Sequence, residues 1–163
     1  MAAGAPHIAV IGASRATPAQ EQVAEAVGRG LAGSGAIVIT GGGPGVMAAA
    51  SRGADAAGGI VVGVLPGADR RAANPWVRVA LPTGLGELRN GLIVRAADAL
   101  VAVGGAYGTL SEIALALAAG KEVVGLDTWP IDGVQVAASA EEAVSRVLEL
   151  AAVGTAGDVG ERS

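Results

Sequence analysis

Residues 99–112 read ALVAVGGAYGTLSE, an apolar run followed directly by a glycine-containing loop and the start of a helical pattern. The run Ala99–Val103 does not alternate between apolar and polar residues, which is typical of a parallel strand covered by helices on both faces. Gly104, Gly105 and Gly108 then allow the backbone to turn tightly. The stretch therefore predicts one strand–loop–helix unit of an α/β fold.

The same alternation extends over most of the chain. Further apolar, β-branched runs predict strands at residues 7–11, 36–40, 60–65 and 122–126, with a sixth short strand near residues 78–81. Helical patterns separate them at residues 19–32, 45–57, 86–96, 108–119 and 141–151. Together they predict a Rossmann-like, doubly wound parallel sheet in a three-layer α/β/α arrangement. Residues 1–151 are expected to form a single domain, and the polar, glycine-rich residues 152–163 a disordered tail.

Composition excludes several classes of function. The chain has 163 residues, a net charge of −4 and eleven scattered Lys and Arg residues, so neither nucleic acid nor a membrane surface is an expected partner. No apolar segment is long enough to span a bilayer, and no signal peptide is recognised. Cysteine is absent and His7 is the single histidine, so a metal site, a disulfide and a cysteine nucleophile are not expected. A cytoplasmic location is the simplest expectation.

The loop after Ala99–Val103 is the strongest candidate binding element. Ligands of open α/β sheets bind outside the carboxyl ends of the strands, where helix-start amides and the helix dipole attract phosphate. Thr109 can add a hydroxyl to a phosphate or cap the helix. The alternative is a tight structural turn without a ligand. The predicted phosphate- or nucleotide-binding residues of this loop are Gly105, Ala106, Tyr107, Gly108 and Thr109.

Two other loops are expected at the same edge. In the segment GGGPGVM, at residues 41–47, Gly42, Gly43 and Gly45 predict a second ligand-binding turn, and a purely structural turn is nearly as well supported. Gly12 and Ser14, after the first strand, either contact the ligand or serve close packing. The first turn lacks G-x-G-x-x-G and the chain lacks G-x-x-x-x-G-K-[ST], so neither NAD, FAD nor P-loop ATP hydrolysis is expected.

Two charged residues are candidates for catalysis. Glu112 shares a helix face with Thr109, and its carboxylate suits ribose hydroxyls or an attacking water better than a phosphate. Because Glu112 is expected in the first helical turn, losing its charge should cost little stability. Arg89 is expected to reach the ligand edge from the preceding helix. The alternatives are a solvent-facing glutamate and a solvated arginine, and for Trp76 and Trp129 packing is favoured over stacking on a base.

In combination these residues resemble the Lonely Guy (LOG) superfamily, whose signature is P-G-G-x-G-T-x-x-E with an upstream arginine. Gly105, Gly108, Thr109 and Glu112 match the signature, and Arg89 matches the arginine. The segments ITGGGPGVM, ANPWV, TGLGELRN and GTLSEIALAL are most similar to the molybdenum-cofactor-carrier-like branch. Three positions depart from the hydrolase pattern, which has proline, glycine and lysine at these places: Gly104, Ala106 and Asn90.

The resemblance implies a nucleoside 5′-monophosphate phosphoribohydrolase, which releases a free base and ribose 5-phosphate and needs no cofactor. Arg89 and Glu112 would be its catalytic residues, and a small phosphate-bearing, nucleotide-like molecule its ligand. A carrier that holds the molybdenum cofactor, a pterin-phosphate, without turnover is the alternative, and a nucleotide-sensing module is a second one. The family also implies a homodimer or a higher even oligomer formed through apolar helix faces.

Overall fold

The computed structural model describes residues 4–157 of the chain. Seven strands form one sheet in the order β4-β3-β2-β1-β5-β6-β7, and every strand pairing is parallel. The strands are β1 His7–Gly12, β2 Ile37–Thr40, β3 Val61–Leu65, β4 Val79–Pro82, β5 Ala99–Val103, β6 Val123–Leu126 and β7 Val134–Val136. The predicted doubly wound parallel sheet is confirmed.

Helices cover both faces of this sheet. They are α1 Pro18–Gly33, α2 Val46–Ala56, α3 Arg89–Ala96, α4 Tyr107–Ala118 and α5 Ala140–Gly157, with 3-10 turns at Arg70–Ala72 and Gly86–Leu88. Residues of β1 alternate between the two layers, as expected for a strand covered on both faces. Ile8 and Val10 pack with the α1, α2 and α5 layer, whereas Ala9 and Ile11 pack with α3 and α4. All four side chains are buried, so β1 forms the centre of the core.

Some element boundaries differ from the predictions. The edge strand Val134–Val136 was not predicted, and the segment predicted as a helix from residue 86 begins with the 3-10 turn Gly86–Leu88. Helix α5 continues to Gly157, because no proline interrupts it after Ala151, so residues 152–157 of the expected tail have helical backbone. The rest of the expected tail, residues 158–163, lies outside the described residues.

The position of β1 beside β5 creates a switch point at the carboxyl end of the sheet. The chain leaves β1 toward α1 on one face and leaves β5 toward α4 on the other face. A crevice opens where neighbouring strands connect to helices on opposite faces, and ligands of such sheets bind there. None of the helices in the described part of the chain is long and apolar enough to cross a membrane.

Candidate functional site

A cleft of about 330 Å³ lies at the switch point. Its walls come from the loops after β1, β3 and β5, from the 3-10 turn Gly86–Leu88 and from the starts of α2, α3 and α4. Of the predicted site residues, Arg89, Glu112, Gly12, Ser14, Ala106, Gly108 and Thr109 line it. The other lining residues are Ala13, Met47, Pro66, Gly86, Glu87 and Asn90.

The loop between β5 and α4 forms a cradle of unpaired amides. The backbone N–H groups of residues 105–109 donate to no described residue, and Leu110 is the first of this segment to donate, to the Ala106 carbonyl at 3.0 Å. Gly104 and Gly105 have φ values of 56° and 137°, and residues that carry a Cβ rarely adopt such backbone conformations. Five successive free amides at the positive end of a helix dipole attract an anion such as phosphate.

Thr109 lies in the first turn of α4 and borders the cleft. Helix α4 begins after Ala106 and has no side-chain cap, so Thr109 does not cap it. Its hydroxyl makes no hydrogen bond to any described residue, although the residue is only 2 % exposed. Of the two roles predicted for this hydroxyl, capping is therefore wrong, and contact with a phosphate stays a prediction.

Glu112 is a buried carboxylate without a hydrogen-bond partner in residues 4–157. It is the sixth residue of α4, in the second turn and not in the first as predicted. Burial raises the pKa of its carboxyl group to about 7, and the nearby positive charge of Arg89 opposes this shift only partly. A group with such a pKa can both accept and release a proton at neutral pH. An unpaired buried carboxyl group is also typical of a functional site.

Arg89 both supports the backbone and faces the cleft. Its Nη1 donates to the carbonyls of Gly41 at 2.7 Å and Val64 at 2.6 Å, and its Nε donates to Asn90 Oδ1 at 3.0 Å. Burial lowers the pKa of Arg89, and the Glu112 charge counteracts part of that shift. Nη2 has no hydrogen bond to the described residues and remains available. Arg89 therefore joins the ends of β2 and β3 to α3, a structural function that the sequence hypothesis lacked.

We expect Arg89→Ala to lower the free energy of unfolding by about 2–4 kcal/mol, because the Gly41 and Val64 carbonyls lose their donor. Chemical denaturation of both proteins measures this difference. Arg95→Ala is the control: Arg95 is exposed on the same helix, and its loss should change stability by about 0.5 kcal/mol or less. Equal stability of the two variants would contradict the structural role of Arg89.

The turn between β2 and α2 packs next to the cleft, and its three predicted glycines do not line it. Gly42 donates to Thr40 Oγ1 at 3.0 Å, and Asn74 bonds the Gly42 and Gly43 carbonyls at 2.8 and 3.0 Å. Gly45 has a φ of 68° and packs against the Ala13 and Ser14 carbonyls. None of the three glycines lines the cleft, so the structure uses them in a tight turn, and their contact with a ligand stays a prediction.

Aromatic side chains border the amide cradle on its outer side. Tyr107 is 82 % exposed and does not line the cleft, and its ring stacks on that of Trp129 with centroids 6.1 Å apart. Trp129 Nε1 donates to the Ala106 carbonyl at 3.2 Å. The Arg52 guanidinium lies over the ring of Trp76, 5.3 Å from its centroid. Both tryptophans therefore have packing partners, in line with the packing interpretation.

Sequence reasoning missed several lining residues. Met47 follows the second glycine loop, Pro66 follows β3, and Glu87 belongs to the 3-10 turn before Arg89. Asn90 was noted only as a departure from the hydrolase pattern, yet it lines the cleft and its Nδ2 donates to Ser111 Oγ at 3.2 Å. The signal that could have found them was their position, since each of these residues lies just after a strand or within two residues of a predicted site residue.

The fold and the cleft together define the class of this protein, which is a Rossmann-like member of the LOG superfamily. Within it, the chain belongs to the SLOG cluster4 family, whose model matches residues 5–156. The chain is 42 % identical over 140 residues to an uncharacterized protein of Archaeoglobus fulgidus, covering 85 % of this chain and 92 % of that relative.

Two solved structures are similar over nearly their whole length. The molybdenum cofactor binding protein of Rippkaea orientalis has a TM-score of 0.84 and 34 % identity, over 89 % of this chain and 96 % of that one. The Moco carrier protein of Chlamydomonas reinhardtii has a TM-score of 0.84 and 38 % identity, over 91 % and 99 % of the two chains. The resemblance to the carrier-like branch of the superfamily is therefore confirmed.

Proposed function

We propose that this protein binds the molybdenum cofactor, a pterin-phosphate, in the cleft and carries it without turnover. The observation that carries the proposal is the row of free amides at residues 105–109 beside the cleft. Such a row matches a phosphate, which every pterin-phosphate ligand presents. The two solved relatives are described as a molybdenum cofactor binding protein and a Moco carrier protein, and this supports the choice of ligand.

The other groups of the cleft suit the remainder of such a ligand. Arg89 Nη2 offers a further donor to an anionic group, and a guanidinium–phosphate hydrogen bond is stronger than a neutral one. Glu112 offers oxygen atoms to N–H or O–H groups of a bound molecule. Its raised pKa means that it can do so in either protonation state near pH 7.

Phosphoribohydrolase activity is the second candidate, favoured by the pKa of Glu112 beside Arg89. The amides would hold the 5′-phosphate, and Glu112 would orient a water toward the sugar carbon as the N-glycosidic bond to the base breaks. The water supplies the oxygen of ribose 5-phosphate and a proton for the leaving base, so the step balances. Arg89 fits this reaction less well, because three of its hydrogen bonds hold the backbone and Asn90.

Two assays on the same purified protein distinguish the carrier from the hydrolase. Purified protein is mixed with molybdenum cofactor and passed over a sizing column, and separately incubated with a panel of nucleoside 5′-monophosphates. We expect the cofactor to co-elute and no free base to form. Glu112→Gln should then change cofactor retention alone. Base release by the wild type that Glu112→Gln abolishes, without cofactor retention, would refute the carrier and support the hydrolase.

We also propose that the chain forms a homodimer or a higher even oligomer. The α3–α4 layer leaves Leu88 78 % exposed, and Leu92 and Leu115 each 44 % exposed. A second copy of the same surface covers such side chains in a two-fold dimer. Light scattering is expected to give at least twice the chain mass, and Leu88→Glu should lower it. A wild-type monomer at micromolar concentration would contradict the proposal.

A further inference from the structure

We propose that Thr128 and Trp129, in the loop between β6 and β7, are positioning residues that orient the amides of the anion cradle. This inference rests on the proposed function, because it concerns how the same cradle holds its ligand. Neither residue lines the cleft, and the side chain of each donates its hydrogen bond to the cradle. Their effect passes through the peptide groups of residues 104–107.

Each residue binds one carbonyl oxygen of the cradle. Thr128 Oγ1 donates to the Gly104 carbonyl at 2.5 Å, and Trp129 Nε1 donates to the Ala106 carbonyl at 3.2 Å. The stacking of Tyr107 on Trp129, with an interplanar angle of 28°, adds a third contact between the loops. Two side chains from one loop thus hold alternate carbonyls of the other.

Because the peptide group is planar, a hydrogen bond that fixes a carbonyl oxygen also fixes the direction of the next residue's N–H group. In a planar trans peptide the carbonyl of one residue and the N–H of the next point in opposite directions. A Gly104 carbonyl held toward Thr128 therefore directs the Gly105 N–H away from the β6–β7 loop. The Ala106 carbonyl does the same for the Tyr107 N–H.

The sheet order tells where those amides face. Strand β5 lies between β1 and β6, so the loop after β5 lies between the loops that follow these two strands. Amides turned away from the β6–β7 loop face the loop after β1, whose Gly12 and Ser14 line the cleft. The two bonds therefore turn the Gly105 and Tyr107 amides toward the side of the loop on which Ala106 and Gly108 line the cleft, although Gly105 and Tyr107 are not lining residues themselves.

The cradle needs this support because its backbone is otherwise permissive. Gly104 and Gly105 both have positive φ, and successive glycines can rotate the peptide between them at little cost. A ligand binding to a loop with several arrangements must first select one, which weakens the apparent affinity. The Ala106 carbonyl also accepts the helical bond from Leu110, so Thr128 is expected to matter more than Trp129.

The variants are Thr128→Val, which removes the hydroxyl at nearly constant shape, and Trp129→Phe, which removes the N–H and keeps a ring for Tyr107. Thr128→Ser restores the donor. Ser34→Ala and Trp76→Phe are matched controls, because Ser34 Oγ also donates to a carbonyl, that of Gly30, and Trp76 lies outside the cleft lining. Binding of inorganic phosphate is followed by amide chemical shifts, and folding by thermal unfolding.

We expect Thr128→Val to bind phosphate about tenfold more weakly, the effect of roughly one charge-assisted hydrogen bond, and Thr128→Ser to recover most of that affinity. Trp129→Phe should lose a smaller factor, and both controls should bind as the wild type does. If Thr128 and Trp129 only stabilise the fold, their variants should unfold at a different temperature and bind phosphate with unchanged affinity. That result would overturn the positioning role and leave the proposed function standing.

Two further outcomes are decisive. If Thr128→Val and Trp129→Phe do not fold, the wild type still provides the test: phosphate must shift the Gly105 and Tyr107 amide signals, and phosphate binding that leaves both unchanged overturns the inference. If the wild type binds no phosphate at all, the proposed cradle fails, and the positioning role fails with it.

Discussion

Gly108→Asp is expected to weaken the binding of phosphate and of the cofactor strongly while leaving the fold intact. Gly108 lines the cleft in the first turn of α4, and a Cβ at this position would meet no other atom within 4 Å. Its φ is not positive, so a side chain is tolerated. A carboxylate among the free amides both occupies the donors and repels the incoming anion. Juxtaposed like charges cost several kcal/mol, so the affinity should fall by about 100-fold or more.

The matched control is Gly108→Asn, which has nearly the same shape and no charge. It should retain most of the affinity, and the difference between the two variants isolates the electrostatic part. Titration calorimetry with inorganic phosphate measures both. Position 108 is a sharper choice than Thr109→Asp, because Thr109 is only 2 % exposed and an aspartate there would be buried. Equal affinities of Gly108→Asp and Gly108→Asn would place the anion somewhere else.

The fold was predictable because the apolar pattern of most strands matches their burial between the two helix layers. Strands such as Ala99–Val103 are buried at every residue, and an unbroken apolar run is the sequence signal for that environment. Strand Val134–Val136 gave no such signal: it has three residues, none of them buried, and lies at the sheet edge. Its formation depends on pairing with β6, which a local pattern does not encode.

The candidate site was predictable in its loops and not in its supporting contacts. Glycine spacing and the strand–helix order indicated the cradle at residues 105–109. The bonds of Arg89 to Gly41 and Val64, and those of Thr128 and Trp129 to the cradle, join residues far apart in sequence. Each exists only after the sheet has assembled, and arginine, threonine and tryptophan have many other uses. No spacing rule therefore singles these partners out.

The protonation of Glu112 should make the stability of the protein depend on pH. Its pKa is about 7 in the folded chain, against 4.5 as the ordinary value, because burial disfavours the charged form. Below pH 4.5 the group is protonated in both states and contributes no difference. Between pH 4.5 and 7 the unfolded chain loses this proton first, so folding becomes less favourable as pH rises. The full loss, reached above pH 7, amounts to about 3 kcal/mol.

Glu112→Gln should remove that loss, because glutamine does not titrate. We expect the variant to match the wild type near pH 4.5 and to be the more stable protein at pH 8, by about 1–3 kcal/mol. This reverses the expectation drawn from the sequence, where a first-turn carboxylate was mildly stabilising. Denaturant unfolding at a series of pH values measures the effect. Glu87→Gln, an exposed residue of the same cleft, is the control and should follow the wild-type curve.

If Glu112→Gln raises the free energy of unfolding, the charged carboxylate destabilises the fold and no contact within the fold offsets this effect. Glu112 accepts no hydrogen bond from any described residue and it lines the cleft, so a ligand bound there can supply hydrogen-bond partners for its carboxylate. Phosphate-bearing cofactor should therefore narrow the stability difference between wild type and Glu112→Gln at pH 8, by stabilising the wild type more. An unchanged difference in saturating cofactor would mean that Glu112 makes no contact with it. A variant less stable than the wild type at pH 8 would mean that the carboxylate is structural.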